Sequence, residues 1–275
     1  MVPFWRQTLV FRSCSAKLIA HTFTREMAMV QRFITPEKLI SARCENGEDI
    51  PRWDAAIICF RNLKGSQALI EALYAKPFNT KIFWGMDATS AWPYIYTADV
   101  NGEQIAIITR CIWGGPQVAI LVEELSEIGV PYVIGFGAAG SLDQSLPQGT
   151  QLVIRSALAT DGTSKHYGVG PFKPDRGLQG LVPSAAHVTA ATVDAVYRET
   201  TELLGRWKGV GAQVINMEAA PFYAASNACG LRAVWLGHVS DLLIDEWKDW
   251  YVDRQEMNDS SIENCLAVIR DTKAD

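Results

Sequence analysis

Two carboxylates stand among residues that carboxylates usually avoid. Glu218 opens an otherwise apolar stretch, Met217 to Ala228, and Asp241 closes a run of apolar residues and glycine, Ala233 to Val239, broken by His238. A carboxylate accepts hydrogen bonds without donating any, so one such group can hold both hydroxyls of a sugar's vicinal diol. A carboxyl kept partly out of water retains its proton closer to neutrality and can protonate a leaving group. Glu218 suits the first task and Asp241 the second. The plain alternatives are structural: Glu218 satisfying free backbone donors at a helix start, and Asp241 capping the element that follows it. A third piece, Gly135-Phe136-Gly137-Ala138-Ala139-Gly140, reads as a glycine-rich turn whose backbone can approach a small ligand closely.

Other chemistries lack their residues. The glycine run resembles a dinucleotide-binding turn, but Pro147 and Gly149 follow where that motif opens a helix. His21, His166, His187 and His238 are too scattered for a metal site, and His238 reads as a satisfied structural histidine. Neither a Gly-x-Ser-x-Gly elbow nor a Gly-Lys-Ser/Thr phosphate loop occurs. No metal and no cofactor are expected.

The elements that must position the carboxylates follow an α/β rhythm. Ala55 to Phe60 reads as a buried strand and Ser66 to Ala75 as a helix; Asn101-Gly102 joins two strands, Tyr94 to Val100 and Gln104 to Thr109, as a hairpin. Pro116 suits the first turn of a helix over Gln117 to Ile128, stopped by Gly129. Pro131 to Ile134, Gln151 to Ile154 and Leu231 to Val239 are apolar strands. Helices are expected over Val193 to Leu204, Met217 to Cys229 and Ser260 to Thr272, and Thr160 to Gly180 reads as a long surface segment.

Composition narrows the partners. Twenty-five basic against 30 acidic residues leave a net charge of −5, which offers nothing to bind nucleic acid in bulk. No run approaches the roughly 18 to 20 apolar residues of a membrane span, so no membrane partner is expected. Six cysteines without a Cys-x-x-Cys pair read as reduced structural thiols. The first acidic residue is Glu26, after Arg6, Arg12, Lys17 and Arg25. Residues 1–26 therefore read as an extension or start-site variant of a cytoplasmic protein, with a mitochondrial transit peptide as the alternative. The expected organisation is an extension and arm over residues 1–50 and one domain over 51–275.

Taken in order, Ile112-Trp113-Gly114-Gly115-Pro116 with Val122-Glu123-Glu124-Leu125, the Gly135–Gly140 run, Asp194-Ala195-Val196-Tyr197, Met217-Glu218 and Val239-Ser240-Asp241 are similar to the motifs of the nucleoside phosphorylase and nucleosidase superfamily. The resemblance covers roughly residues 50–245. It implies a phosphorylase-like, single-domain, three-layer fold with a central mixed twisted sheet flanked by helices, assembled as a homo-oligomer (dimer, trimer or hexamer). It also implies a small-molecule nucleoside partner. Met217 and Glu218 would hold ribose, Val196 and Tyr197 would pack on the base, and Gly137, Ala138, Ala139 and Gly140 would line the site. Asp241 matches the acid that protonates a purine at N7 in purine-cleaving relatives. The positions matching the Gln and Arg with which uridine phosphorylases read uracil are Thr200 and Glu202, which favours a purine-like base.

One departure bears on the reaction. Phosphorylases of this superfamily carry an Arg at the start of the glycine turn and a Ser or Thr three residues on, both gripping phosphate, where this chain has Gly135 and Ala138. Two charge-assisted donors contribute roughly 3 kcal/mol, so their loss weakens a buried phosphate site by at least about 100-fold. Hydrolysis of the N-glycosidic bond is the expected reaction. The alternatives are a phosphorylase whose phosphate site is rebuilt by Arg61 and Lys64, and a nucleoside-binding protein without catalysis. A dinucleotide-dependent oxidoreductase is a more distant one. The water-activating Glu that methylthioadenosine nucleosidases carry after the first strand has no counterpart in Cys59 to Lys64.

Overall fold

The computed structural model describes residues 32–86, 94–111, 114–244, 246–248 and 255–272. The leader through residue 26 and the Ile112-Trp113 pair lie outside them. One compact unit runs from Pro36 to Asp275. Its helices are α1 (Pro36–Glu45), α2 (Leu63–Ala72), α3 (Gly115–Glu127), α4 (Arg176–Gly180), α5 (Thr201–Gly209), α6 (Ala219–Cys229) and α7 (Gln255–Asp271). The strands are β1 (Ala55–Cys59), β2 (Lys76–Pro77), β3 (Ile95–Val100), β4 (Glu103–Ile108), β5 (Tyr132–Ser141), β6 (Gln151–Leu158), β7 (Ala186–Thr192), β8 (Val214–Asn216), β9 (Arg232–Leu243) and β10 (Trp247–Lys248).

All ten strands form one mixed sheet, ordered β10-β9-β6-β7-β8-β5-β1-β4-β3-β2, with β9 also pairing β5. Because of that extra pairing, β5, β9, β6, β7 and β8 close into a ring, and β1 to β4 extend it as an open wing. The hairpin falls where expected: Val100 pairs Glu103, and Asn101 and Gly102 take the positive φ values, 55° and 82°, that a two-residue turn needs.

Strand β1 shows why helices cover both faces. Its five apolar residues are all fully buried. Ala55, Ile57 and Cys59 pack with Leu69 and Leu73 and with Ile262, Cys265 and Val268 of α7. Ala56 and Ile58 pack on the opposite face with Val118, Leu121 and Leu125 of α3 and Phe222 and Tyr223 of α6. The pleat alternates side chains between the layers, so a strand apolar on both faces belongs inside the sandwich. Gly129 (φ 85°) and Gly230 (φ 70°) stop α3 and α6 as expected.

The glycine run departs from its expected form: it is strand, not turn. Gly135 to Gly140 continue β5 and pair β9 in parallel along its length. The glycines make room for Trp235, which is fully buried on β9. A β-carbon at Gly135 would lie 2.6 Å from Trp235 Cδ1, and one at Gly137 would lie 2.5 Å from its Cζ2. Opposite them, a β-carbon at Gly237 would be driven into the Gly137 carbonyl. Gly237→Ala is therefore expected to destabilise the fold by roughly 1–3 kcal/mol, since backbone cannot step aside as a side chain can. Urea unfolding checks this, and an unchanged midpoint would contradict it.

The expected helix over Val193 to Leu204 is instead a short 3₁₀ turn, Val196–Arg198, followed by α5. Thr200 causes the break: its backbone is extended and its side chain accepts the Leu203 N–H at 3.3 Å, so it starts a new helix. Thr160 to Gly180 is more ordered than a surface loop. It contains α4, a 3₁₀ turn at Ser164–His166 and a bridge from Phe172 to Ala157, and it buries Asp161, Ser164 and Leu178.

Candidate active site

A cleft of about 270 Å³ opens where the C-terminal ends of five strands meet. It is bounded by Phe60, Arg61 and Asn62 after β1, Ala138 to Gly140 at the end of β5, and Val193, Val196 and Glu199 after β7. Ile215 to Glu218 at the end of β8, and Ser240, Asp241 and Leu243 near the end of β9, complete it. Strand ends are where α/β sheets place ligands, because backbone donors and side chains converge there without a neighbouring strand.

Glu218 is buried at the helix boundary, as its position in the sequence requires, but it does not serve the helix. The free N–H groups of α6 are taken by others: Asn216 Oδ1 accepts from Ala219 N at 3.3 Å, and Thr192 Oγ1 accepts from Ala220 N at 3.0 Å. Glu218, at the N-cap, makes no side-chain capping bond. Its Oε2 accepts from Met217 N at 3.2 Å, and it also accepts from the Gly114 amide. Burial pushes its pKa up to about 7 despite those two donors. A carboxylate relieved of capping and turned to a cleft is available to a ligand.

Asp241 reaches the cleft through an irregularity. The β5–β9 register runs Ala139 to Val239 and then Gly140 to Asp241, so Ser240 is an extra residue in β9. A bulge re-aims the side chain beside it. Gly140 leaves space on that side, since a β-carbon there would be driven into Leu243 Cδ1 and would stand 3.3 Å from Asp241 Oδ2. Ser240 Oγ donates to Asp241 Oδ1 at 2.5 Å and Trp247 Nε1 donates to Oδ2 at 3.2 Å.

Arg61 is the cation of the cleft, and it is buried. Its Nη2 donates to Asn258 Oδ1 at 2.9 Å, its Nη1 lies 3.1 Å from His238 Nδ1, and its guanidinium stands 5.8 Å over the Phe136 ring. Burial, and then the Arg61 charge, lower the His238 pKa to about 3, so the imidazole is neutral and accepts from Arg61. His238 also bonds Ser261 Oγ at 3.1 Å, which makes it the structural histidine that its apolar company suggested.

Of the residues singled out in the sequence, the cleft gathers Arg61, Ala138, Ala139, Gly140, Val196, Met217, Glu218 and Asp241. Gly137 is not among its walls, because it lies under Trp235. Tyr197 is 98% exposed beside Val196, and Lys64 is exposed in the first turn of α2; neither lines the cleft. Thr200 is occupied as a helix cap and Glu202 is exposed.

Several polar residues of the cleft were given no role from the sequence, Asn216 and Glu199 among them. Asn216 is held by its Oδ1, leaving a buried Nδ2 without a hydrogen-bond partner among the described residues. Glu199 stands just outside α5, and burial together with the Asp241 charge pushes its pKa up to about 7. Recognising Thr200 as a helix cap would have placed Glu199 on the strap before the helix, where side chains are free to point into a site.

Comparison with known proteins identifies the family. The chain belongs to the phosphorylase superfamily, whose family model matches residues 74–272. It is 25% identical over 251 residues to an uncharacterized protein of Acanthamoeba polyphaga mimivirus, a match covering 87% of this chain and 96% of that one. It is 35% identical over 149 residues to a guanosine phosphorylase of Halorubrum lacusprofundi, covering 50% of this chain and 61% of the relative. Among solved structures, AMP nucleosidase from Bacteroides thetaiotaomicron superposes with a TM-score of 0.65 at 16% identity, over 88% of this chain and all of that one. The superposition shows a shared fold.

Proposed function

We propose that this protein cleaves the N-glycosidic bond of a nucleoside with a purine-like base, using water as the nucleophile. The observation that carries the reading is the meeting in one cleft of two carboxylates from different elements, Glu218 before α6 and Asp241 on the β9 bulge. Glu218 takes the ribose hydroxyls, with the Asn216 amide as a neighbouring donor, and Val196 packs on the base. As the bond breaks, positive charge grows on the sugar beside the Glu218 carboxylate and negative charge grows on the base beside Asp241. The fixed Glu218 carboxylate stabilises the first without having to reorganise, and a proton delivered by way of Asp241 neutralises the second.

Water is favoured over phosphate by what stands in place of the family's phosphate grip. At Gly135, Trp235 fills the space that an arginine side chain would need, and Ala138 brings no hydroxyl to the cleft wall. A second reading, phosphorolysis, is favoured by the buried Arg61, a cation that lines the same cleft. The guanosine phosphorylase and AMP nucleosidase among the relatives exemplify both outcomes. The two readings separate when the cleavage rate of a purine nucleoside is followed against phosphate concentration. A rate independent of phosphate, with free ribose as product, is expected. A rate that rises with phosphate and falls in Arg61→Gln, with a ribose phosphate as product, would overturn hydrolysis.

A further inference from the structure

Asp241 has both carboxylate oxygens engaged as acceptors, from Ser240 Oγ and Trp247 Nε1. Glu199 is its complement. Its carboxyl lines the same cleft, half-buried, and takes part in no hydrogen bond among the described residues. It is also held in place. The 3₁₀ turn of Val196–Arg198 ends on the Glu199 N–H to Val196 carbonyl bond, the Thr200 cap follows at once, and Asp194 Oδ2 ties the strap to Gly162 N at 2.7 Å. Of two carboxyl groups lining one cleft, the fixed one that accepts no hydrogen bond is the one suited to carry a shared proton.

We propose, building on the N-glycosidic reading above, that Glu199 and Asp241 act as one acid: a carboxyl pair that holds a single proton, resting on Glu199, and delivers it to the leaving base. The C1′–N bond breaks with its electron pair passing to the base, and the pair's proton goes to a ring nitrogen such as purine N7. The water oxygen bonds to C1′ and releases one proton, which restores the pair. The pair thus ends each turnover as it began, and no other co-reactant is needed.

The raised pKa of Glu199, about 7, supports this resting state. Three other charged groups line the cleft with it: Asp241, Glu218 and Arg61. On its own strap Arg198 is exposed to solvent, and so is Glu202 in the first turn of α5. Glu218 also has a pKa of about 7 but serves in its ionised form, so it sets a rising limb of activity with pH while the pair sets a falling one.

The test compares wild type with Glu199→Gln on two substrates, a purine nucleoside and its N7-methylated form, whose base is already cationic and leaves without a proton. General acids contribute typically about 10² to 10⁴-fold. The expected result is a loss of about 100-fold or more in kcat/KM on the ordinary nucleoside and a change of no more than about 3-fold on the methylated one. Wild type should also lose its falling pH limb on the methylated substrate. Unchanged rates on both substrates, or equal losses on both, would overturn the pair and leave the cleavage reading standing. Wild type that cleaves neither substrate would overturn the cleavage reading and the pair with it.

Discussion

Asp241→Asn is expected to lower the turnover of a purine nucleoside by at least about 100-fold while the protein remains folded. The substitution preserves the shape of the side chain, and its amide oxygen can still accept a hydrogen bond from Trp247 or Ser240. It removes one half of the proton-holding pair, whose contribution as a general acid is typically about 10²-fold or more. Its position limits structural damage, because Asp241 sits at a bulge near the end of β9 rather than in the Trp235 layer. Steady-state kinetics beside a thermal melt separate the effects. Near-wild-type turnover would remove Asp241 from the chemistry, and a collapsed melt would show that its bonds to Ser240 and Trp247 are structural.

Glu218→Gln should have the larger effect. Two charge-assisted hydrogen bonds to a diol are worth about 1.5–3 kcal/mol each, so losing them lowers kcat/KM by roughly 10² to 10⁴-fold. Glutamine keeps one acceptor oxygen, but its amide group must face either the diol or the Met217 and Gly114 amides that Glu218 accepts from. Some loss of stability accompanies the substitution, so the decisive readout is substrate-specific. With a 2′,3′-dideoxynucleoside the penalty of Glu218→Gln should shrink, because the hydroxyls that Glu218 serves are gone and only its charge beside the sugar is lost. A penalty of the same size on both substrates would show that Glu218 does not hold the sugar. Since burial raises the Glu218 pKa to about 7 and the ionised form is the acceptor, ribose binding should strengthen as pH rises through that value.

The features that local rules govern could be read from the chain. Asn101-Gly102 gave the hairpin, Gly129 and Gly230 the helix stops, and the apolar run of β1 its place between two helical layers. Glu218 and Asp241 were visible because a charge in an apolar stretch needs a reason. What remained hidden depends on partners distant in sequence. The glycines of β5 read as a turn because the residue they accommodate, Trp235, lies about a hundred positions away on a strand whose pairing no local pattern announces. The resemblance put Tyr197 on the base, but the Thr200 cap breaks the helix around it and leaves the ring in solvent. Glu199 drew no reading of its own within the expected Val193 to Leu204 helix; its meaning comes from Asp241, 42 residues away, which shares its cleft.

Whether this cleft breaks N-glycosidic bonds is decided by chromatography of purine nucleosides and uridine after incubation with the protein in phosphate-free buffer. The predicted result is consumption of a purine nucleoside to free base and an equal amount of free ribose, with uridine left intact. Purine nucleosides that survive prolonged incubation unchanged, with a protein that is folded and binds them, would contradict cleavage and identify a nucleoside-binding protein instead.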